Sequence, residues 1–154
     1  MPFKRISVVA GLSLFLAAPV LAEGDSAAGE TVFGKCKSCH AIVADDETVI
    51  QKGGKIGPNL FAIIGRTAGT YPEFKYGDDM IAAGAAGLVW DDVSFLAYVQ
   101  DPKAFLQDFL QNDSAKTKMT FKLTKGGEDL LAYLAGLSGA DGVADEDPEA
   151  TETE

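Results

Sequence analysis

The arrangement of two cysteines and a histidine in Cys36-Lys37-Ser38-Cys39-His40 constrains this chain more than any other feature. The 154 residues contain no further cysteine and no other histidine. Two cysteines three positions apart lie near one another on a helical turn, so both sulfurs can face one object with the imidazole beside them. Any fold for this chain must therefore account for two neighbouring thiols with an imidazole beside them.

This spacing is the attachment motif of c-type haem. The two sulfurs can bond to the two vinyl groups on one edge of a porphyrin, and the adjacent imidazole then falls beneath the iron. We therefore predict one haem c per chain, covalently attached through Cys36 and Cys39, with His40 as an iron ligand.

Three other interpretations of the cysteine pair remain open. A disulfide is possible in an oxidising compartment, but it leaves unexplained a chain with long loops and a thin apolar core. A zinc site needs four ligands, and this chain offers one histidine and two cysteines. A thiol oxidoreductase normally carries such a pair after a strand in a βαβ pattern, which is not visible here.

The first 22 residues read as a secretory signal. Lys4 and Arg5 precede an uncharged apolar stretch from Ile6 to Ala18, and Val20-Leu21-Ala22 has the small-residue pattern of a cleavage site. Ile6 to Ala22 spans only 17 residues, the low edge of what crosses a bilayer. We expect cleavage after Ala22 and export to the periplasm.

Removing these 22 of 154 residues leaves 132, the size of one domain, and changes the formal net charge from −10 to −12. Such acidity argues against nucleic acid, whose phosphates require a basic surface. Residues 141–154 carry seven acids, no basic residue and no aromatic residue, which predicts a disordered acidic tail. The folded domain is expected at residues 23–140.

Helical signals occur near both ends of this domain and in its third quarter. Asp25 or Ser26 can cap a first helix, and Asp91 caps one that stops before Pro102. Asp101 caps the next, which carries one apolar stripe made of Phe105, Leu106, Phe109 and Leu110. Further helices are predicted around residues 78–83 and at Leu130, Leu131, Leu134 and Leu137, with Gly139 ending the last. Strands are hard to find, because glycines and prolines interrupt residues 41–77. The predicted class is all-α, with four to five helices and long loops wrapped around the haem.

The iron needs a sixth ligand if it is to be closed to other chemistry. Apart from Met1, the methionines are Met80 and Met119. Met80 sits in a short amphipathic segment that suits core packing, whereas Met119 stands in a non-helical stretch between two predicted helices. Met119 is the predicted ligand and Met80 the alternative. A thioether ligand raises the reduction potential of haem iron.

The chain from Gly29 to Leu137 resembles a class I cytochrome c, in particular the long bacterial cytochrome c2. Several runs keep the family's order and approximate spacing. Besides the cysteine motif they are Gly57-Pro58-Asn59-Leu60 with Gly65-Arg66, Phe74-Lys75-Tyr76, Gly87-Leu88-Val89-Trp90, Tyr98 before Asp101-Pro102, Thr117-Lys118-Met119, and residues 129–134.

The resemblance implies roles for further residues. The Pro58 carbonyl would accept a hydrogen bond from His40, and Tyr98 would lie near the sulfur of Met119. The haem propionates would be served by Arg66, Tyr76 and Trp90. Gly29, Phe33, Leu130 and Tyr133 would form the crossing of the first and last helices.

The resemblance also implies a function. It predicts a soluble, monomeric periplasmic electron carrier rather than an enzyme, taking electrons from a cytochrome bc1 complex and passing them to a photosynthetic reaction centre or a terminal oxidase. The lysines flanking the two iron ligands would form the docking surface, although a scattered distribution remains possible; they are Lys35, Lys37, Lys52, Lys55, Lys103, Lys116, Lys118, Lys122 and Lys125. A five-coordinate haem protein that binds small ligands is the rival hypothesis.

Overall fold

A computed structural model describes residues 24–137 of the chain. The predicted signal peptide and its cleavage site, the acidic tail and the helix end at Gly139 lie outside these residues. In chain order the elements are α1 (Ser26–Phe33), β1 (Ile42–Val43), β2 (Val49–Gln51), α2 (Asp78–Ala85), α3 (Asp92–Gln100), α4 (Pro102–Phe109) and α5 (Gly127–Leu137). Among residues 24–137, no helix has the length and apolar character needed to cross a membrane.

The predicted helix starts are confirmed by their capping bonds. The Asp25 carboxylate accepts hydrogen bonds from the amides of Ala27 and Ala28 at 2.8 and 3.2 Å. Asp91 and Ser94 cap each other's backbone at the start of α3, and the Asp101 carboxylate accepts from Ala104 at the start of α4. These bonds satisfy amides that have no partner within the first helical turn.

The first and last described helices cross in close contact, and a glycine permits it. A Cβ built on Gly29 would lie 1.9 Å from the Asp129 carbonyl oxygen and 2.6 Å from the Tyr133 Cβ. The rings of Phe33 and Tyr133 meet nearby, with centroids 6.2 Å apart. The crossing implied by the resemblance is therefore present, and it joins the two ends of the described chain.

A small hairpin was not anticipated from the sequence. The strands β1 and β2 pair antiparallel and lie within the loop region between residues 41 and 77. Two and three residues are too few to show the alternation by which a strand is recognised. The protein nevertheless remains an all-α fold with loops around its centre, as predicted.

The core follows the predicted apolar stripes with one exception. Phe33, Leu106, Leu130 and Leu134 are fully or almost fully buried. On α4, however, Phe109 remains 37% exposed. Its ring stacks on Phe105 at 5.9 Å, so the end of the predicted stripe lies at the surface rather than in the core.

Candidate haem site

A cavity of about 300 Å³ opens between the turn that follows α1, the helix α3 and the segment 116–121. Cys36, Cys39, His40 and Met119 all line it. Much of the remaining wall is apolar and includes Leu60, Ile63, Trp90, Phe95, Val99 and Leu130. The four side chains predicted to hold the cofactor and its iron therefore share one apolar crevice.

The cysteines lie on a helix-like turn that continues beyond the end of α1. Its backbone bonds run from the Cys36 amide to the Phe33 carbonyl at 2.8 Å, and from the His40 amide to the Cys36 carbonyl at 2.9 Å. Both cysteines are half-buried free thiols. Burial, together with the neighbouring Cys39, raises the pKa of the Cys36 thiol to about 11. A thiol oxidoreductase needs the opposite shift, because its thiolate is the nucleophile.

The orientation of His40 is set by one hydrogen bond. Its Nδ1 lies 2.7 Å from the Pro58 carbonyl oxygen. Because a carbonyl oxygen can only accept, Nδ1 must carry the proton, and Nε2 keeps a free lone pair for a metal. Burial lowers the pKa of His40, which favours this neutral form.

Met119, unlike the cysteines on their helix-like turn, lies on a segment without regular secondary structure. Its amide donates to the Thr117 hydroxyl at 3.1 Å, and that hydroxyl lies 3.2 Å from the hydroxyl of Tyr98. Burial raises the pKa of Tyr98, which keeps its hydroxyl protonated. Tyr98 thus reaches the Met119 segment through Thr117. Met80 also lines the cavity, but it lies within the regular helix α2 and is only 9% exposed.

The residues implied to serve the propionates divide into two groups. Trp90 and Tyr76 line the cavity, and Trp90 packs its ring against Tyr98 with centroids 4.9 Å apart. Arg66 instead donates from Nη1 to the Asn59 carbonyl at 2.9 Å and from Nη2 to the Phe61 carbonyl. Its guanidinium therefore holds the backbone behind the cavity in this structure.

Several lysines line the cavity and the groove beside Met119. Lys35, Lys116 and Lys118 line the cavity itself. Lys103, Lys116 and Lys122 line an adjoining groove that shares Met119 with it. Asp101 is the one acidic residue in that groove, and it pairs with Lys122 at 2.5 Å. This part of an otherwise acidic protein is therefore basic.

Two residues beside the cavity have supporting roles that were not predicted from the sequence. Asn59 belongs to the Gly57–Leu60 motif, and its side chain binds the backbone of Val43 and Phe61. Asp79 accepts the Lys116 amide at 2.8 Å. An asparagine beside a loop proline is a recognisable signal for side-chain to backbone bonding, whereas the contact of Asp79 has no local signal.

These features fit haem c. The apolar walls suit a flat macrocycle, the two thiols stand on one helix-like turn for its vinyl groups, and the lone pair of His40 suits its iron. A zinc site fits less well, because residues 24–137 contain no group of three metal-binding His, Cys, Asp or Glu side chains.

Comparison with curated proteins shows close relatives. The chain is 56% identical over 137 residues to cytochrome c-551 of Roseobacter denitrificans, covering 89% of this chain and 97% of the relative. It is 55% identical over 135 residues to cytochrome c2 of Rhodobacter capsulatus, covering 86% and 98%. No protein-family model matches the chain.

Solved structures agree with this. The cytochrome c2 structure from Rhodobacter capsulatus has a TM-score of 0.71 at 58% identity, covering 73% of this chain and 97% of that one. The cytochrome c2 structure from Paracoccus denitrificans has a TM-score of 0.74 at 44% identity, covering 76% and 98%. Identity at this level over nearly whole relatives shows the family as well as the fold. The chain therefore belongs to the class I cytochromes c of the cytochrome c2 type, haem proteins that carry electrons and are not enzymes.

Proposed function

We propose that Cys36 and Cys39 would hold one haem c through thioether bonds and that His40 and Met119 would be the two protein ligands of its iron. The bound haem supplies a one-electron couple between Fe(II) and Fe(III). The observation that carries the proposal is the shared cavity, in which both thiols, Met119 and the hydrogen-bonded His40 meet.

The chain's own residues would make the transfer fast by holding both ligands before and after the electron moves. The Pro58 carbonyl fixes the ring of His40, and the hydroxyl of Thr117 fixes the backbone of Met119. A thioether favours the reduced iron and so raises the potential. The apolar side chains of Trp90 and Phe95 line the same cavity, where they would limit the access of water to the reacting centre.

The remaining implied contacts belong to the same proposal. Tyr76 and Trp90 line the cavity, which supports their assignment to the propionates. Tyr98 would tune Met119 through Thr117. Arg66 gives two of its five N–H groups to backbone carbonyls, and its side chain also bonds Tyr76, which lines the cavity, so its remaining donors would be the ones that serve the propionates.

The transport pathway is proposed on the resemblance and on charge. The protein would shuttle electrons as a monomer in the periplasm from a cytochrome bc1 complex to a photosynthetic reaction centre or a terminal oxidase. Signal cleavage after Ala22 would release it, and residues 141–154 would remain a solvated acidic tail. The basic surface around Met119 supports brief docking on acidic partners, since charge speeds encounter more than it adds affinity.

An absorption and mass spectrum of the mature protein, produced in a host competent to attach haem, tests the ligand set. We expect a low-spin spectrum in both redox states and a mass raised by one haem. Met119→Ala should become high-spin and bind carbon monoxide when reduced, whereas Met80→Ala should keep the low-spin spectrum. A colourless protein would refute haem attachment, and an unchanged Met119→Ala spectrum would transfer the ligand role to Met80.

Salt tests the docking surface separately. Screening weakens exposed charge pairs, so the rate of electron transfer to an isolated reaction centre should fall as ionic strength rises. Lys116→Gln should be slower than the wild type at low salt and equal to it at high salt. A rate indifferent to salt would refute the lysine surface while leaving the ligands untouched.

A further inference from the structure

Asn59 is bonded through every polar group of its side chain. Its Oδ1 accepts from the amides of Val43 and Phe61, each at 3.0 Å, and its Nδ2 donates to the Val43 carbonyl at 2.7 Å. A longer contact of 3.4 Å joins Nδ2 to the hydroxyl of Tyr71. Because the Val43 amide can only donate and its carbonyl can only accept, these bonds admit one orientation of the side-chain amide.

The side chain of Asn59 therefore binds β1 at two points, as a neighbouring strand would. This clasp has a direct consequence for Pro58. The peptide bond is planar, so the Pro58 carbonyl lies in one rigid unit with the amide nitrogen and the Cα of Asn59. A clasp that holds the Cα of Asn59 thereby limits the direction in which the Pro58 carbonyl can point, and that carbonyl is the partner of His40.

The backbone of the same turn is held from its other side by Arg66. Its guanidinium donates to the carbonyls of Asn59 and Phe61. The next residue, Ala62, has a φ of +50°, a backbone conformation that a residue with a Cβ adopts only when its surroundings impose it. The turn is thus held in a single shape by side chains that do not line the cavity.

We infer that Asn59 is a positioning residue for His40, acting through the Pro58 carbonyl to set the strength of the hydrogen bond at Nδ1. A stronger bond there makes the imidazole a better donor to a metal and favours the oxidised iron; a weaker bond favours the reduced iron. The inference rests on the proposed ligation by His40, and it makes Asn59 a determinant of the reduction potential.

A competing account gives this task to the backbone alone. The Gly57 amide donates to the Cys39 carbonyl at 2.8 Å, and the Leu60 amide donates to the Ala41 carbonyl at 3.1 Å. These two bonds bracket Pro58 on either side. If they suffice, removal of the Asn59 side chain should lower stability and leave His40 and the potential unchanged.

The test compares Asn59→Ala and Asn59→Gln with Asn112→Ala in the haem-loaded protein. Asn112 is a suitable control because its Oδ1 also accepts a backbone amide, that of Ser114 at 3.0 Å, in an exposed turn. We expect the midpoint potential of Asn59→Ala to rise and the Nδ1 proton of His40 to exchange with solvent about tenfold faster, as measured by NMR. Asn59→Gln keeps the amide but displaces it by one methylene, so both quantities should change in the same direction by less.

An unchanged or lowered potential in both Asn59 variants, with Nδ1 exchange equal to that of Asn112→Ala, would overturn the inference. If Asn59→Ala does not accumulate as a haem protein, Asn59→Gln alone decides by the same two measurements. Failure of the ligation proposal would appear differently, as a wild-type protein without a low-spin spectrum.

Discussion

The two sides of the cavity are built by different means. On the side of His40, backbone–backbone hydrogen bonds tie the loop to the cysteine turn. The Gly54 amide donates to the Lys37 carbonyl and the Gly57 amide to the Cys39 carbonyl, both at 2.8 Å. On the side of Met119, the ties come largely from side chains. Asp79 accepts the Lys116 amide at 2.8 Å, and the Nζ of Lys118 donates to the Lys75 carbonyl at 2.6 Å.

This difference teaches which kind of substitution each side tolerates. The loop lies directly against the His40 turn and leaves no room for an added side-chain atom at Gly57. Side-chain ties can be removed one at a time, and each contributes about 1 kcal/mol. A Cβ added where the loop meets the His40 turn should therefore disrupt the site, whereas loss of a side-chain hydrogen bond, from Asn59 or from Thr117, should only loosen it.

The largest expected effect is a difference in stability between two glycine-to-alanine variants, one on each side of the cavity. A Cβ on Gly57 would lie 2.3 Å from Cε1 of His40, so Gly57→Ala must displace the ring or the loop. We expect a loss of about 3 kcal/mol in the free energy of unfolding and disturbed ligation. A Cβ on Gly77 would meet only the Lys118 side chain, at 3.7 Å.

Gly77→Ala should consequently cost under about 1 kcal/mol, mostly through the weaker helix cap at α2. Denaturant unfolding followed by absorption spectra measures both variants. Equal losses in the two would show that the side of His40 is no more rigid than the side of Met119.

A smaller effect is expected from Thr117→Val. Valine keeps the shape but removes the hydroxyl that accepts the Met119 amide and meets Tyr98. The Met119 segment should open more often, and exogenous imidazole should displace the thioether about tenfold faster, measured by stopped-flow absorption. Thr120→Val, on the exposed neighbour in the same segment, is the control. Identical displacement rates in the two variants would contradict a role for the hydroxyl.

The smallest effect concerns the pair of Lys122 and Asp101. The hydrogen bond from Lys122 and, to a smaller extent, the one from the Ala104 amide lower the pKa of the Asp101 carboxyl. A lowered folded-state pKa contributes stability above the unfolded value of about 3.9, and this stability is lost as the pH falls through the folded-state pKa. Lys122→Gln should thus be slightly less stable than the wild type at neutral pH.

The two proteins should converge in stability as the pH falls below about 4, because protonation removes the carboxylate in both. Thermal unfolding across this range measures the difference. A constant difference at all pH values would mean that Lys122 acts through packing rather than charge.

Much of the fold was readable from the sequence because its signals are local. Asp25, Asp91 and Asp101 mark helix starts through bonds to amides two or three residues away. The hairpin was not predicted because β1 has only two residues and its Val43 is hydrogen-bonded by the side chain of Asn59, which lies 16 positions further along the chain. Phe109 was placed on a buried stripe by its spacing, but periodicity shows only that residues share a face, not where that face meets the surface.

By itself the sequence determined that Cys36, Cys39 and His40 lie close together, since their spacing within five residues leaves no freedom to separate them. Only the tertiary structure decided which groups hold the turn and the opposite segment in place. Pro58 stands 18 residues from His40 along the chain, and Tyr98 stands 19 from Thr117. The physical reason is that a hydrogen bond depends on distance in space, and the chain brings such residues together only when its helices have packed.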